Sequence, residues 1–221
     1  MIRIQISASL NGIKEHGYNI GMKQPVVIYV LGLPASGKST LAKKLSNELR
    51  LPLLSKDAIK VMLFDTYGWT DREGSMMAGR ASYGIIDYIL EEQLRVGNSV
   101  IVESTFSGNA SPKFKKWQKD YNARYVQIYC YADAEVIRER FKKRILEDDR
   151  HVSRVEGEAG LQNLEAMIER GFTPIDIEGE IIKIDTTDFR RVNQAELAVR
   201  LGALLDGRVE TLSDSNSNEQ G

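Results

Sequence analysis

Gly32-Leu33-Pro34-Ala35-Ser36-Gly37-Lys38-Ser39-Thr40 follows directly on the β-branched run Pro25–Leu31 and opens onto Ser39–Arg50, where Leu41, Ala42, Leu45 and Leu49 recur at helical spacing. The nine residues satisfy the pattern G-x-x-x-x-G-K-S/T in full. Its spacing has a physical reason. Two glycines let the backbone curl so that successive N–H groups face inward, and the helix that follows aims its positive N-terminal end at the same point. That is a cradle for phosphate, and a strand before it with a helix after it is the context the pattern requires. Pro34, Ala35, Ser36 and Thr40 complete the loop; Lys38 is expected to bridge the β- and γ-phosphates of a nucleotide and the Ser39 hydroxyl to ligate Mg²⁺.

Outward from the cradle, short apolar runs alternate with helical patterns. Strands are expected at Leu51–Leu54, Ser99–Val102, Tyr125–Tyr131 and Glu180–Ile184. Helices are expected at Asp57–Phe64, Ser75–Val96, Lys113–Tyr121, Ala134–Leu146, Glu158–Arg170 and Gln194–Leu205. The Ser75–Val96 pattern places Ala78, Ala81, Ile85, Ile86, Ile89, Leu90 and Leu94 on one face. Unbroken apolar strands separated by helices indicate a parallel sheet covered on both faces, an α/β fold.

Residues 25–210 form one domain on this reading. Residues 1–24 read as an extension, either a loosely docked arm or chain upstream of a start at Met22, and 211–221 as a polar, disordered tail. In 221 residues, 30 Lys+Arg against 31 Asp+Glu leave a net charge of −1, so there is no global basic field to hold nucleic acid. One cysteine and two histidines cannot build a Cys/His zinc site or an internal disulfide, and no run is long enough to span a membrane. A reducing cytoplasm fits. Cys130, inside the apolar run Tyr125–Tyr131, is expected to be a buried small hydrophobe.

Two acids stand at the carboxyl ends of strands, the edge where open α/β sheets bind ligands. Asp57 follows the second strand at a helix start; it is either a base that takes the proton of an attacking hydroxyl or a helix cap. Glu103 ends the third strand and is either a contributor to the Mg²⁺ sphere or a strand-end acid. Ser104 and Thr105 beside it can donate to phosphate or to nearby backbone. Arg140 and Arg144 lie one helical turn apart, and Arg150 follows in the polar segment 147–157. These guanidinium groups either close over a triphosphate or form a solvated surface paired with Glu147, Asp148 and Asp149. Walls for an acceptor are available from Met62, Phe64, Tyr67, Trp69, Met76, Met77, Phe106 and Trp117, each of which is equally a core candidate.

Together, Gly32–Thr40, Lys56-Asp57 with Lys60, Val102–Phe106 and Arg140 with Arg144 resemble the AAA_33-type small P-loop kinases, relatives of polynucleotide 5′-hydroxyl kinases, chloramphenicol phosphotransferase and zeta toxins. The resemblance runs from Gln24 to about Phe189. It implies a P-loop NTPase fold with a five-stranded parallel sheet of the nucleoside monophosphate kinase type and a small arginine-bearing lid at about 147–157. It also implies ATP and Mg²⁺, transfer of the γ-phosphoryl group, Asp57 as base, Arg140 beside the adenine, and Arg144 and Arg150 acting from the lid. Ile184–Asp188 resembles the segment that borders the adenine. One departure is Lys60, where relatives often carry arginine; a lysine cannot clamp phosphate bidentately.

The function expected is therefore transfer of phosphate from ATP·Mg²⁺ to a hydroxyl of a small molecule, or of a nucleic acid only at its 5′ end. A nucleoside monophosphate kinase is one alternative, with only Arg72 and Arg80 in the intervening stretch to meet an acceptor phosphate. A nucleotide-binding switch that transfers nothing is the other.

Overall fold

In the computed structural model, residues 24–68, 71–105, 112–146 and 157–207 are described. The extension up to residue 23, Trp69, Phe106, Arg150, most of the lid segment and the tail at 211–221 lie outside them.

β1 (Val26–Leu31) is buried at all six positions, as a strand apolar on both faces must be, and it occupies the middle of the sheet. β3 (Val100–Ser104) pairs with it on one side and β4 (Arg124–Tyr131) on the other, both parallel. β2 (Leu53–Ser55) flanks β3 and β5 (Glu180–Asp185) flanks β4, giving the order β2-β3-β1-β4-β5 with every neighbour parallel.

Helices cover both faces. α1 (Lys38–Leu49) and α7 (Gln194–Leu205) pack Leu41, Ala42, Leu45, Leu197 and Leu201 against Ile28, Val30, Val126 and Ile128. On the other face α3 (Arg72–Arg95) and α4 (Pro112–Asp120) bring Ile86, Leu90, Phe114 and Trp117 onto Val27, Tyr29 and Tyr125. α5 (Ala134–Leu146) and α6 (Gly157–Arg170) form a third cluster, in which Ile137, Phe141 and Leu164 enclose Leu33 and Ala35 of the loop after β1. α2 (Lys56–Tyr67) joins β2 to α3 and buries Lys60 and Phe64.

Of the boundaries that differ from the sequence pattern, three have a clear local reason. β3 continues through Glu103 and Ser104 because both are in register with β1, Glu103 opposite Val30. α2 extends to Tyr67, where Gly68 takes the left-handed conformation (φ 64°) that ends it. α3 begins at Arg72 because Asp71 accepts the Gly74 N–H at 2.7 Å, an N-cap. Along α3 the buried ladder is Ala78, Ser82, Ile86, Leu90, Leu94; Ala81 is exposed, and Ser82 survives burial by donating its hydroxyl to Ala78 O.

Candidate active site

The loop between β1 and α1 begins where glycine alone fits. Gly32 has φ 149°, and a Cβ there would stand 2.3 Å from Cys130 O and 2.6 Å from Ser36 Oγ. Gly37 has φ 81°, and its missing Cβ leaves room for the Phe189 ring at 3.3 Å. α1 then starts with no side-chain cap and no acid in its first turn, so its positive end is offered to an anion. Pro34 is half-buried, while Ala35 (φ 65°) turns its methyl into the α5–α6 cluster.

Lys38 is buried; its Nζ donates to Leu33 O at 3.4 Å and lies 3.8 Å from Glu103 Oε1. Ser39 Oγ donates to the same Oε1 at 3.0 Å, and Ser55 Oγ donates to Oε2 at 2.6 Å. Glu103 is 1% exposed, so its carboxylate is held by one cation and two hydroxyls at the end of β3. Thr40 is exposed on α1.

Asp57 is the second residue of α2, and Ser55 occupies the capping position ahead of it. Ser55 makes no cap bond because its hydroxyl serves Glu103. Asp57 is thus a half-exposed carboxylate in the first turn, 3.3 Å from Lys56 Nζ and favoured there by the helix dipole. Lys56 Nζ also stands 5.9 Å over the Tyr83 ring, and the Tyr83 hydroxyl is 3.2 Å from Ser104 Oγ. Phe64 and Trp117 are core residues, whereas Met62, Tyr67, Met76 and Met77 are exposed.

At the opposite edge, Arg140 Nη2 donates to Thr186 O at 2.8 Å and Thr187 O at 3.0 Å. Arg144, one turn on, is half-buried. Arg138 serves the fold instead. It bonds Glu165 and Glu135, fastening α5 to α6, and these carboxylates raise its already high pKa. The Cys130 thiol is pushed up to about 12 by burial, with Lys38 opposing, so it stays protonated as the small hydrophobe expected.

The donor set suits Mg²⁺, a hard cation that is commonly held by one or two protein oxygens, with phosphate and water completing its sphere. Ser39 Oγ and a Glu103 oxygen already stand 3.0 Å apart, and the described residues hold no cluster of three or more His, Cys, Asp or Glu that would make a protein-only cage. For the nucleotide, Ser36 Oγ in the loop and Arg140 Nη1 beside the β5 exit are buried polar atoms with no hydrogen-bond partner among the described residues. Such orphans fit a site completed by a polar ligand.

Among family models, AAA_33, described as an AAA domain, matches residues 27–169. The chain belongs to this family. Among solved structures, a candidate kinase from Chloroflexus aurantiacus is 31% identical, with 81% of this chain and 97% of that one covered at a TM-score of 0.72. Kti12 from Chaetomium thermophilum, solved in complex with ADP-AlF3, is 18% identical, with 80% and 97% covered at a TM-score of 0.55, and is similar in fold. No curated protein matches the sequence. With its parallel sheet, its cradle and these likenesses, the AAA_33 chain is a P-loop kinase. None of its described helices is long and apolar enough to cross a membrane.

Sequence reasoning passed over Ser55, Tyr83 and Phe189. Ser55 was detectable only once β2 was known to lie beside β3 in the register that sets it opposite Glu103.

Proposed function

We propose that this AAA_33 protein transfers the γ-phosphoryl group of ATP·Mg²⁺ to a hydroxyl of an acceptor, with Asp57 as the base. The observation that carries this reading is the meeting of Lys38, Ser39 and Glu103 at one sheet edge, with Asp57 two residues beyond Ser55, itself bonded to Glu103. The backbone of Gly32–Ser39 and the Lys38 ammonium bind and orient the triphosphate, and Ser39 with Glu103 holds the metal. When bound, Mg²⁺ neutralises phosphate charge. Arg140 borders the adenine, and Arg144 and Arg150 supply positive charge to the transferring group.

Asp57 favours a hydroxyl over a phosphate acceptor. A neutral hydroxyl gains from a carboxylate that orients it and takes its proton, whereas a phosphate needs no base and is repelled by the same charge. The bond formed joins the acceptor oxygen to the γ-phosphorus, the bond broken joins that phosphorus to the β–γ bridging oxygen, and the hydroxyl proton passes to Asp57. Lys56, Tyr83 and Ser104 supply polar groups on the acceptor side. A cytoplasmic setting accords with ATP supply and a reduced, buried thiol.

The test is an acceptor screen with γ-labelled ATP and Mg²⁺ over hydroxylated small molecules, nucleosides, nucleoside monophosphates and 5′-hydroxyl oligonucleotides. The wild type should label one hydroxyl class. Asp57→Asn should bind ATP as tightly but transfer about 10²–10⁴-fold more slowly, the usual worth of a positioned base. Unchanged transfer in Asp57→Asn would remove Asp57 from the chemistry. ATP binding without any transfer would favour the switch reading, and labelled nucleoside diphosphate the monophosphate kinase.

A further inference from the structure

We infer that Thr186 is a positioning residue for the phosphate cradle, setting the peptide between Ser36 and Gly37 so that its N–H faces the phosphates; this rests on the nucleotide reading above. Thr186 follows β5 directly and is fully buried. Its N–H donates to Tyr131 O at 2.8 Å, which extends the β4–β5 ladder by one residue. Its Oγ1 lies 2.7 Å from Ser36 O and also 2.7 Å from Tyr131 O. A hydroxyl has one proton to give. Tyr131 O already accepts the Thr186 N–H, so that proton is best placed on Ser36 O.

The consequence follows from peptide geometry. The described chain has no cis peptide bonds, and in a planar trans peptide the C=O and the following N–H point in opposite directions. Drawing Ser36 O toward Thr186 therefore turns the Gly37 N–H away from it, to the ligand side of the loop. Side-chain atoms are needed for this because Gly37, with φ 81° and no Cβ, does not hold the peptide plane by itself. Two further contacts bear on the same few atoms. The Phe189 ring closes on Gly37 from beneath, with Lys44 Nζ 5.5 Å over its face, and the Thr186 Cβ lies 3.6 Å from where a Gly37 Cβ would stand. The Thr186 carbonyl meanwhile accepts from Arg140, so the residue that fixes the cradle is also fastened to the base-side arginine.

Binding of ATP, inorganic triphosphate and adenosine to the wild type, Thr186→Val and Thr186→Ser separates this role from mere packing, with melting temperature followed alongside. Thr186→Val, close in shape but without the hydroxyl, should bind both ATP and triphosphate about tenfold more weakly and adenosine unchanged. Thr186→Ser, which keeps the hydroxyl, should bind all three as the wild type does. If Thr186→Val does not fold, Thr186→Ser against Thr186→Ala gives the same contrast of hydroxyl with none. Wild-type ATP affinity in the variants lacking the hydroxyl, an equal loss for adenosine, or a Thr186→Ser as weak as Thr186→Val would each overturn the inference. Failure of the wild type itself to bind ATP would overturn the nucleotide reading and the inference with it.

Discussion

A carboxylate as deeply buried as Glu103 costs several kcal/mol in lost hydration unless charge and hydrogen bonds replace the water. Lys38, Ser39 and Ser55 provide that replacement, and two of the three come from the loop proposed to bind phosphate. On that proposal the acid is held ready by the same groups that the ligand engages. Cys130 on β4, separated from β3 by β1, shows the opposite solution, a titratable group kept neutral. Burial lifts its pKa to about 12, so at pH 8 almost none of it is thiolate, the form that alkylating agents attack. Native protein treated with iodoacetamide at pH 8 should remain unmodified by mass spectrometry, while the urea-unfolded chain should take up one equivalent. Rapid labelling of the native form would show that the thiol is neither buried nor neutral.

Among the described elements, α6 comes after α5 rather than after a strand, and side chains attach it to the rest. Leu164 is 1% exposed and meets Ile137 and Phe141 of α5 together with Leu33 and Ala35 of the cradle. Leu164→Ala should cost about 2–5 kcal/mol by urea denaturation, the range for a buried leucine whose cavity only partly collapses. A loss under 1 kcal/mol would mean that α6 does not hold the cradle in solution. Elements of this kind were legible as periodicities: Ile137, Phe141 and Ile145 mark the inner face of α5, and the all-apolar β1 announces a central parallel strand. Boundaries were less legible where tertiary partners decide them. Glu103 looked like a strand end because a charge ends an apolar run; its place inside β3 follows from its register with Val30 of β1, and its burial there depends on Lys38, Ser39 and Ser55, which lie 48 or more residues away along the chain in the hydrogen-bonded cases. Ala81 fits a helical stripe in the sequence yet faces outward, because the residues that reach the sheet fall on the ladder ending at Leu94. The strand, loop and helix around the cradle were readable because its glycines and apolar flanks are local; Thr186 was visible only as part of a resemblance to an adenine-bordering segment, because what it touches is 150 residues distant.

At the scale of the whole molecule, the proposed nucleotide site draws on the exit of β1, the start of α1, the end of β3, α5 and the connection after β5, so on that proposal a bound nucleotide ties together parts that are remote in sequence. A ligand that binds the folded chain and not the unfolded one adds RT ln(1 + [L]/Kd) to stability, about 2.7 kcal/mol at one hundred times Kd. For a chain of this size each kcal/mol moves the melting midpoint by about 2–4 °C. ATP with Mg²⁺ at that concentration should therefore raise the midpoint of the wild type by about 5–11 °C in a thermal scan. Lys38→Ala should reduce this to near zero at the same concentration, because the ammonium that meets the phosphates is gone while the sheet that carries it is not. The variant should itself unfold at a lower temperature than the wild type without ligand, since removing Lys38 leaves Glu103 buried with its two hydroxyl donors and no cation. Glu103→Gln in the Lys38→Ala background should recover much of that loss without restoring the shift on ATP. If the double variant also regained the shift on ATP, the Lys38 ammonium would not be what meets the phosphates, and if it regained no stability, the loss in Lys38→Ala would not come from the buried charge.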